Sequence, residues 1–378
     1  MKDEDTNWFK PLPWWQKILV LLVGFVIAAL FFLGPDVFGQ INENKSQGPP
    51  EPILHVSVVS HFDQPWAMGI DDLNAFRTLT KNHPKMRWTH LYNPVAYTQL
   101  TPHYKKMESF VKKCRDDHGA EIGVHLHMYE SLLKKAGVKF RNSPSMNAKS
   151  ADTSQDDTGY SVPMTIYSRN EIDKILNFTL NKFKERNLGR PRSFCAGFYA
   201  ASIELQKAIA TNGYYISAAA FPPSNKFGAQ YAPSWHELSG WNKTVTVRSR
   251  PYKISEETIL PIGTAPYIKA KDGKPLIEFP QTCKIDWMVS VEHMKTIFRE
   301  HLKFCKQGQM SAVCLAIHEN NAAQHLEKYD TVLNYIDEQI LSNAEKGIRI
   351  EYSTLSAIRD NFFESKANPE PRTLTTDP

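Results

Sequence analysis

The chain has 378 residues, of which 42% are hydrophobic, 11% aromatic and 22% charged. This composition excludes a disordered chain, a collagen-like fibre and a disulfide-stapled miniprotein, and it leaves room for one large α/β domain or two average ones. The 45 Lys and Arg residues outnumber the 40 Asp and Glu residues without forming a long basic run, so nucleic acid is not an expected partner. The five cysteines form no Cys-x-x-Cys pair, which argues against a disulfide framework and against a cysteine-rich zinc site.

An apolar segment near the N-terminus predicts a membrane anchor. Residues 14–33 begin with two tryptophans and continue as apolar residues and glycine, interrupted near the start by Gln16 and Lys17, over roughly the length that crosses a bilayer. Because Lys10 and Lys17 stand at its start, residues 1–13 are expected in the cytoplasm and the chain after residue 33 in the periplasm or outside the cell. The alternative is a cleaved signal peptide, which also exports the rest of the chain.

Patterns of strands and helices alternate after a polar linker at residues 34–52. Predicted strands cover residues 53–60, 87–91, 121–127, 191–199, 214–220, 260–264, 312–317 and 347–352. Predicted helices cover residues 70–82, 102–117, 168–183, 202–212, 289–305, 329–345 and 354–363, with a surface insertion at 142–159, a long loop at 221–241 and a flexible tail at 365–378. This alternation, without a glycine-rich dinucleotide motif, favours a closed or nearly closed βα barrel over residues 53–364.

Polar residues cluster at the ends of three predicted strands. His61 and Asp63 follow the first strand, His125 and His127 lie at the end of the third, and His318 follows the strand at 312–317. Residues two apart in an extended chain point to the same side, and barrels of this kind carry their chemistry at the carboxyl ends of the strands. We therefore expect these five side chains to converge, although a single strand-end histidine can equally be a structural hydrogen-bonding residue.

Two imidazoles and a carboxylate form an open site for a divalent cation. Zinc is the expected ion, with cobalt or nickel as alternatives, and the remaining coordination positions are left for water and substrate. Such an ion polarises a carbonyl group and lowers the pKa of a bound water, and a neighbouring carboxylate or histidine can act as acid or base.

The order of these motifs resembles the polysaccharide deacetylases, the NodB-like enzymes of carbohydrate esterase family 4, whose fold is a distorted (β/α)7 barrel. His61-Phe62-Asp63-Gln64 stands at the place of the family's Thr-Phe-Asp-Asp motif, and residues 121–125 match Glu-Ile-Gly-x-His. Residues 193–197 take the place of Ser-Phe-Arg-Ala-Gly, and residues 316–319 resemble Leu-Leu-His-Asp. The resemblance covers nearly all of the chain after the linker.

The resemblance implies roles for individual residues. Asp63 stands at the place of the family's catalytic base, and His318 at that of its general acid. Gln64, Tyr129 and Cys195 replace a metal-binding aspartate, a metal-binding histidine and an arginine, so the family's usual site cannot form unchanged. We expect a shifted set of metal ligands, Asp63, His125 and His127, with His61 as a possible replacement base. The residues expected to contact substrate are Gln64, Trp66, Tyr129, Tyr199 and Glu319.

The sequence therefore predicts a membrane-anchored, metal-dependent hydrolase that removes N- or O-acetyl groups from a polysaccharide outside the cytoplasm. Because three family positions are substituted, an alternative is a catalytically degenerate barrel that binds glycan within a polysaccharide synthesis or export assembly. A third hypothesis is an amidase that works without a metal. Aromatic residues such as Trp235 and Trp241 either stack on sugar rings or pack within the fold.

Overall fold

The computed structural model describes residues 52–64, 67–99, 104–146, 159–223 and 234–364. The predicted membrane segment at 14–33, Trp66, most of the predicted insertion and the tail at 365–378 lie outside these residues. None of the helices in the described ranges is both long enough and apolar enough to cross a bilayer.

A single sheet organises the described residues. Its nine strands within these ranges are β1 Ile53–His61, β2 Trp88–Tyr92, β3 Glu121–Leu126, β4 Ser193–Ala196, β5 Ile216–Ser217, β6 Tyr252–Lys253, β7 Ile277–Glu278, β8 Ser311–His318 and β9 Arg349–Tyr352. The path β7-β5-β4-β3-β2-β1-β8 consists of parallel pairs only, which gives the seven parallel strands that the resemblance implies. Strand β6 pairs antiparallel with β7, and β9 pairs with the first half of β1.

In the described ranges, the two ends of the path of parallel strands, β7 and β8, are joined by hydrogen bonds from a loop and not by strand pairing. No strand pairing joins β7 to β8 among the described residues. The chain that leaves β7 bridges this gap, because the Cys283 amide donates to the Cys314 carbonyl at 3.1 Å and the Cys314 amide donates to Thr282 Oγ1 at 2.9 Å. The Gln281 amide also donates to the Ala220 carbonyl at 2.8 Å, which ties the same loop to the chain after β5. These bonds produce an irregular barrel.

Two apolar clusters cover the two faces of the sheet. On β8 the larger side chains Val313, Leu315 and Ile317 belong to the cluster that includes most of the helices, whereas Ala312, Cys314 and Ala316 belong to the second cluster, which also includes the last helix of the described residues. This alternation follows from the two-residue period of a strand, and the small residues leave space on the inner face.

Helices lie between the strands. Those in the described ranges are α1 Ile70–Asn82, α2 Tyr104–His118, α3 Glu130–Lys135, α4 Arg169–Glu185, α5 Ile203–Asn212, α6 Ser234–Ser239, α7 Val291–Lys306, α8 Ala322–Ala344 and α9 Leu355–Glu364. Local sequence explains their ends: Ser168 and Glu171 form a reciprocal capping box at the start of α4, and Gly213 ends α5 with φ of 89°.

Several predicted elements differ from the structure. The predicted strand at 260–264 is wrong: these residues form turns, with the Gly263 amide donating to the Leu260 carbonyl, and the next strand is Ile277–Glu278. The predicted strand at 214–220 shortens to Ile216–Ser217, and helix α8 begins at Ala322 instead of residue 329. The predicted loop at 221–241 contains helix α6, and helix α3 was not predicted. Short strands and turns lack the apolar periodicity on which such predictions depend.

Candidate active site

Four of the predicted side chains meet in direct contact at the carboxyl ends of β1, β3 and β8. Asp63 Oδ1 lies 2.8 Å from His125 Nε2, and Asp63 Oδ2 lies 3.4 Å from His127 Nε2. The two imidazole Nε2 atoms are 3.1 Å apart, and His318 Nε2 lies 3.6 Å from Asp63 Oδ2. The convergence follows from the parallel sheet, because β1 pairs with both β2 and β8 and the carboxyl ends of all these strands meet at one rim.

Backbone carbonyls determine which nitrogen of each imidazole faces this cluster. His125 Nδ1 lies 3.0 Å from the Cys195 carbonyl, and His127 Nδ1 lies 2.7 Å from the Tyr160 carbonyl. A carbonyl oxygen only accepts hydrogen bonds, so each Nδ1 carries the proton, and in the neutral ring each Nε2 presents a lone pair. This is the arrangement in which a histidine binds a metal through Nε2 while Nδ1 is held by an outer partner.

The three side chains fit a divalent cation. Asp63 Oδ1 is buried and receives no hydrogen bond of normal geometry from the described residues, although it lies 2.8 Å from His125 Nε2. Asp63 Oδ1 and His125 Nε2, 2.8 Å apart, and the two Nε2 atoms, 3.1 Å apart, repel each other through their lone pairs unless a cation lies between them. Ligand atoms bound to zinc at about 2.0–2.1 Å in a tetrahedron lie about 3.3–3.4 Å apart, slightly more than the spacing of these atoms.

Burial and neighbouring charge determine the ionisation of the cluster. Burial raises the pKa of Asp63, but His125, His318 and His127 outweigh it and hold that pKa well below its usual range. Burial lowers the pKa of His125 despite the nearby carboxylate, which favours the neutral, lone-pair-bearing ring. The pKa of His61 is also well below its usual value, because of burial and then of His125 and His318. The cluster therefore combines a carboxylate at Asp63 with an imidazole at His125 that favours the neutral form.

His318 differs from the other histidines because a second carboxylate holds it. Both carboxylate oxygens of Asp286 lie 3.2 Å from His318 Nδ1, and Asp286 Oδ2 accepts the His318 amide at 2.8 Å. Burial opposes the charged ring, but Asp286 and Asp63 raise the pKa of His318 to about 10. The pKa of Asp286 falls to about 2, because the attraction of His318 outweighs burial. His318 is therefore an imidazolium at neutral pH, with Nε2–H directed at the cluster.

Solved structures share this architecture. A proposed polysaccharide deacetylase from Mycobacterium smegmatis is similar with a TM-score of 0.50, covering 87% of this chain and 96% of that chain at 11% identity. A proposed glycoside hydrolase/deacetylase from Parabacteroides distasonis is similar with a TM-score of 0.54, covering 84% of this chain and 72% of that chain at 12% identity. The chain has the fold of the polysaccharide deacetylases. No protein-family model matches the sequence, and no curated protein matches it.

The thiol of Cys195, which the resemblance sets at the place of an arginine, is buried. Cys195 lies in β4, and burial raises its pKa well above its usual value, so the thiol keeps its proton. His61 is 1% exposed, its Nε2 has no hydrogen-bond partner among the described residues, and its ring lies 4.9 Å from that of His125. His61, His125 and Cys195 thus form a second group of possible ligand atoms, which shares His125 with the first.

Most of the residues predicted to contact substrate are buried around Asp63. Glu319 has no exposed surface, and its carboxylate accepts the Asp63 amide at 3.0 Å and the Gln64 amide at 2.5 Å. Burial raises the pKa of Glu319 to about 8. Tyr129 is fully buried, with its hydroxyl 3.4 Å from the Asp63 carbonyl, whereas Gln64 is half-buried. Glu319 and Tyr129 thus hold the loop that presents Asp63.

Tyr199 and Trp241 pack against each other next to the site. Tyr199 is 6% exposed, and its ring lies 4.4 Å from that of Phe221. Trp241 is 2% exposed, and its Nε1 donates to the Tyr199 carbonyl at 2.7 Å. Phe198 and Tyr199 both have positive φ, 54° and 60°, an uncommon conformation for bulky residues that is often found at functional sites.

Sequence reasoning missed Asp286, Tyr160 and Trp287. Asp286 begins a 3-10 turn after the two-residue strand β7, so no apolar pattern placed it near His318. Tyr160 follows a polar segment, yet its ring stacks on that of His127 with centroids 4.2 Å apart. Trp287 is 42% exposed next to Asp286. The only sequence feature that could have indicated this segment is the acidic residue next to an aromatic residue at 286–287.

Proposed function

We propose that this chain is a metal-dependent hydrolase that removes acetyl groups from a polysaccharide outside the cytoplasm. The observation that carries the proposal is the meeting of Asp63, His125 and His127: Asp63 Oδ1 lies 2.8 Å from His125 Nε2, and the two Nε2 atoms lie 3.1 Å apart. The imidazolium of His318 lies beside these ligands, with its Nε2 3.6 Å from Asp63 Oδ2, and it can act as an acid. The fold of the polysaccharide deacetylases supports acetyl groups as the target.

In this proposal several residues of the chain have separate roles in hydrolysis. When bound, a divalent cation supplies polarisation of the acetyl carbonyl and acidification of a water molecule. His318 Nε2–H gives its proton to the departing nitrogen or oxygen of the sugar. Asp286 keeps Nδ1–H in place and stabilises the charged ring, while Glu319 holds the loop of Asp63. Half-exposed Trp287 offers an aromatic face for a sugar ring.

Location is a further part of this proposal. The apolar segment at 14–33, with lysines at its start, would anchor the chain so that the barrel faces the periplasm or the cell exterior. Polysaccharides and proteins of polysaccharide synthesis or export are the corresponding partners. Protease accessibility of the barrel in intact cells or spheroplasts tests the orientation, and a barrel digested only after lysis would contradict it.

Acetate release tests the activity. The full chain, purified in detergent, is incubated with acetylated chitooligosaccharides and with an acetylated aryl ester, before and after removal of metal by a chelator. We expect release that chelator abolishes and that added Zn²⁺, Co²⁺ or Ni²⁺ restores. A variant carrying both His125→Ala and His127→Ala is expected to be inactive, and His118→Ala, at the end of α2, is the control that retains activity. Full activity in chelator would instead support a metal-free amidase.

A binding module is the second candidate. It is favoured by the replacement of an arginine by the buried Cys195, and by the Tyr160 ring that covers His127. Such a module binds the oligosaccharides without releasing acetate, and its binding survives the double alanine substitution. Acetate release that depends on His125 and His127 rejects this candidate.

A further inference from the structure

Tyr160 contacts two of the three candidate ligands. Its hydroxyl donates to Asp63 Oδ2 at 3.1 Å, and its backbone carbonyl accepts the Nδ1–H of His127 at 2.7 Å. Its ring lies parallel to that of His127, with 9° between the planes. One residue from outside the barrel strands thus fixes the carboxylate of Asp63 and the ring of His127 at the same time.

The backbone before Tyr160 permits this close approach. Gly159 has φ of 96°, and a side-chain carbon placed there would lie 2.2 Å from the Met128 carbonyl oxygen. Only glycine fits such a position, so the chain can pass directly against the segment that follows β3. Phe198 contacts the rings of both Tyr160 and His127 edge-on, with centroids 5.2 Å and 5.6 Å apart.

The two oxygens of Asp63 consequently differ. Oδ2 accepts the Tyr160 hydroxyl, whereas Oδ1 receives no hydrogen bond of normal geometry within the described residues and faces His125 Nε2. A carboxylate with two free oxygens can bind a cation through both of them. A carboxylate with one oxygen that already accepts a hydrogen bond binds the cation through the other oxygen only.

We propose that Tyr160 is a positioning residue that makes Asp63 a metal ligand through Oδ1 alone and keeps His127 oriented. This inference rests on the metal site of the proposed function. Outer partners of metal ligands commonly contribute 10–100-fold to metal affinity, so we expect an effect of that size. Coordination through one carboxylate oxygen also leaves more positions open for water and substrate.

Metal binding to the full chain tests the inference. Tyr160→Phe removes only the hydroxyl and keeps the ring and the backbone carbonyl. We expect zinc affinity, measured by competition with a chromophoric chelator, to fall about 10–100-fold, and the visible spectrum of the Co²⁺-loaded variant to change. The control is Tyr214→Phe, since Tyr214 is fully buried and its hydroxyl has no hydrogen-bond partner within the described part of the chain.

The outcomes separate this inference from the proposed function. If the original chain binds no zinc, the proposed function fails and the role of Tyr160 with it. If the original chain binds zinc, but Tyr160→Phe binds it equally well or more tightly with an unchanged Co²⁺ spectrum, only the inference is overturned. A loss seen in Tyr160→Ala and absent in Tyr160→Phe would assign the effect to ring packing and would also overturn the role of the hydroxyl.

Discussion

Substituting Gly197 is expected to disturb the proposed metal site, because one added carbon atom displaces the ring of His127. A side-chain carbon at residue 197 would lie 2.5 Å from His127 Nδ1 and 2.7 Å from Cγ and Cε1 of the same ring. Non-bonded carbon atoms in proteins approach to about 3.5 Å, so the ring of His127 must move by about 1 Å. That shift stretches the bond from Nδ1 to the Tyr160 carbonyl, now 2.7 Å, and moves Nε2 out of the cluster.

Two effects of Gly197→Ala can be measured separately. Overpacking of this kind costs about 1–3 kcal/mol in the free energy of unfolding. Loss of the outer partner of a metal ligand alone weakens metal binding about 10–100-fold. Because Gly197→Ala displaces both His127 and its hydrogen bond to the Tyr160 carbonyl, we expect zinc binding to weaken by at least that factor. Chemical denaturation of the metal-free chain gives the first quantity, and chelator competition gives the second.

A second glycine provides the control. Gly308 has φ of 78°, and a side-chain carbon there meets nothing within 4 Å. Gly308→Ala is therefore expected to lose about 1–2 kcal/mol of stability through its left-handed backbone while keeping its zinc affinity. Gly197→Ala that binds zinc as tightly as the original chain would refute the placement of His127 among the ligands.

Two further predictions concern buried carboxylates. Asp286→Asn removes the largest of the charges that raise the pKa of His318 to about 10, so we expect that pKa to fall and the proposed proton donor to be less protonated at pH 8. We expect acetate release to fall about 10²–10⁴-fold at pH 8 and less at pH 5.5, and an unchanged pH profile would contradict this. Burial raises the pKa of Glu278 to about 7, so the stability it contributes is present below about pH 4.5 and is lost as pH rises to about 7. We therefore expect the free energy of unfolding to fall less between pH 5 and pH 8 in Glu278→Gln than in the original chain, as measured by denaturation at the two pH values. An equal fall in both proteins would count against this assignment.

The convergence of the strand ends could be predicted because it depends on topology. Parallel strands place their carboxyl ends at one rim, so His61, Asp63, His125 and His318 could be grouped from their positions after apolar runs. His127 was included by its two-residue spacing from His125, although β3 ends at Leu126. In these cases a local pattern and a general rule of sheets were sufficient.

The surroundings of these residues could not be predicted, because their partners are distant in the chain. Asp286 lies 32 residues before His318, and Tyr160 lies 97 residues after Asp63. Both follow segments without a regular apolar period, so nothing local indicates where their side chains lie. The burial of Glu319 beneath the Asp63 loop likewise follows from the pairing of β1 with β8.

The predicted strand at 260–264 failed for a different reason. Its residues are apolar enough for a strand, but Pro261 and Gly263 favour a turn, and the Gly263 amide bonds back to Leu260. The barrel instead takes Ile277–Glu278, a strand too short to recognise from its pattern. Here the chemistry of turn residues outweighed hydrophobicity.

The central claim is that Asp63, His125 and His127 together hold a divalent cation, and metal content after equilibrium dialysis tests it most directly. The full chain is dialysed against Zn²⁺ and then against metal-free buffer, beside the variant carrying both His125→Ala and His127→Ala. We expect about one equivalent of zinc in the original chain, as for a three-ligand site, and almost none in the variant. Less than about a tenth of an equivalent in the original chain, or equal zinc in both proteins, would contradict the account.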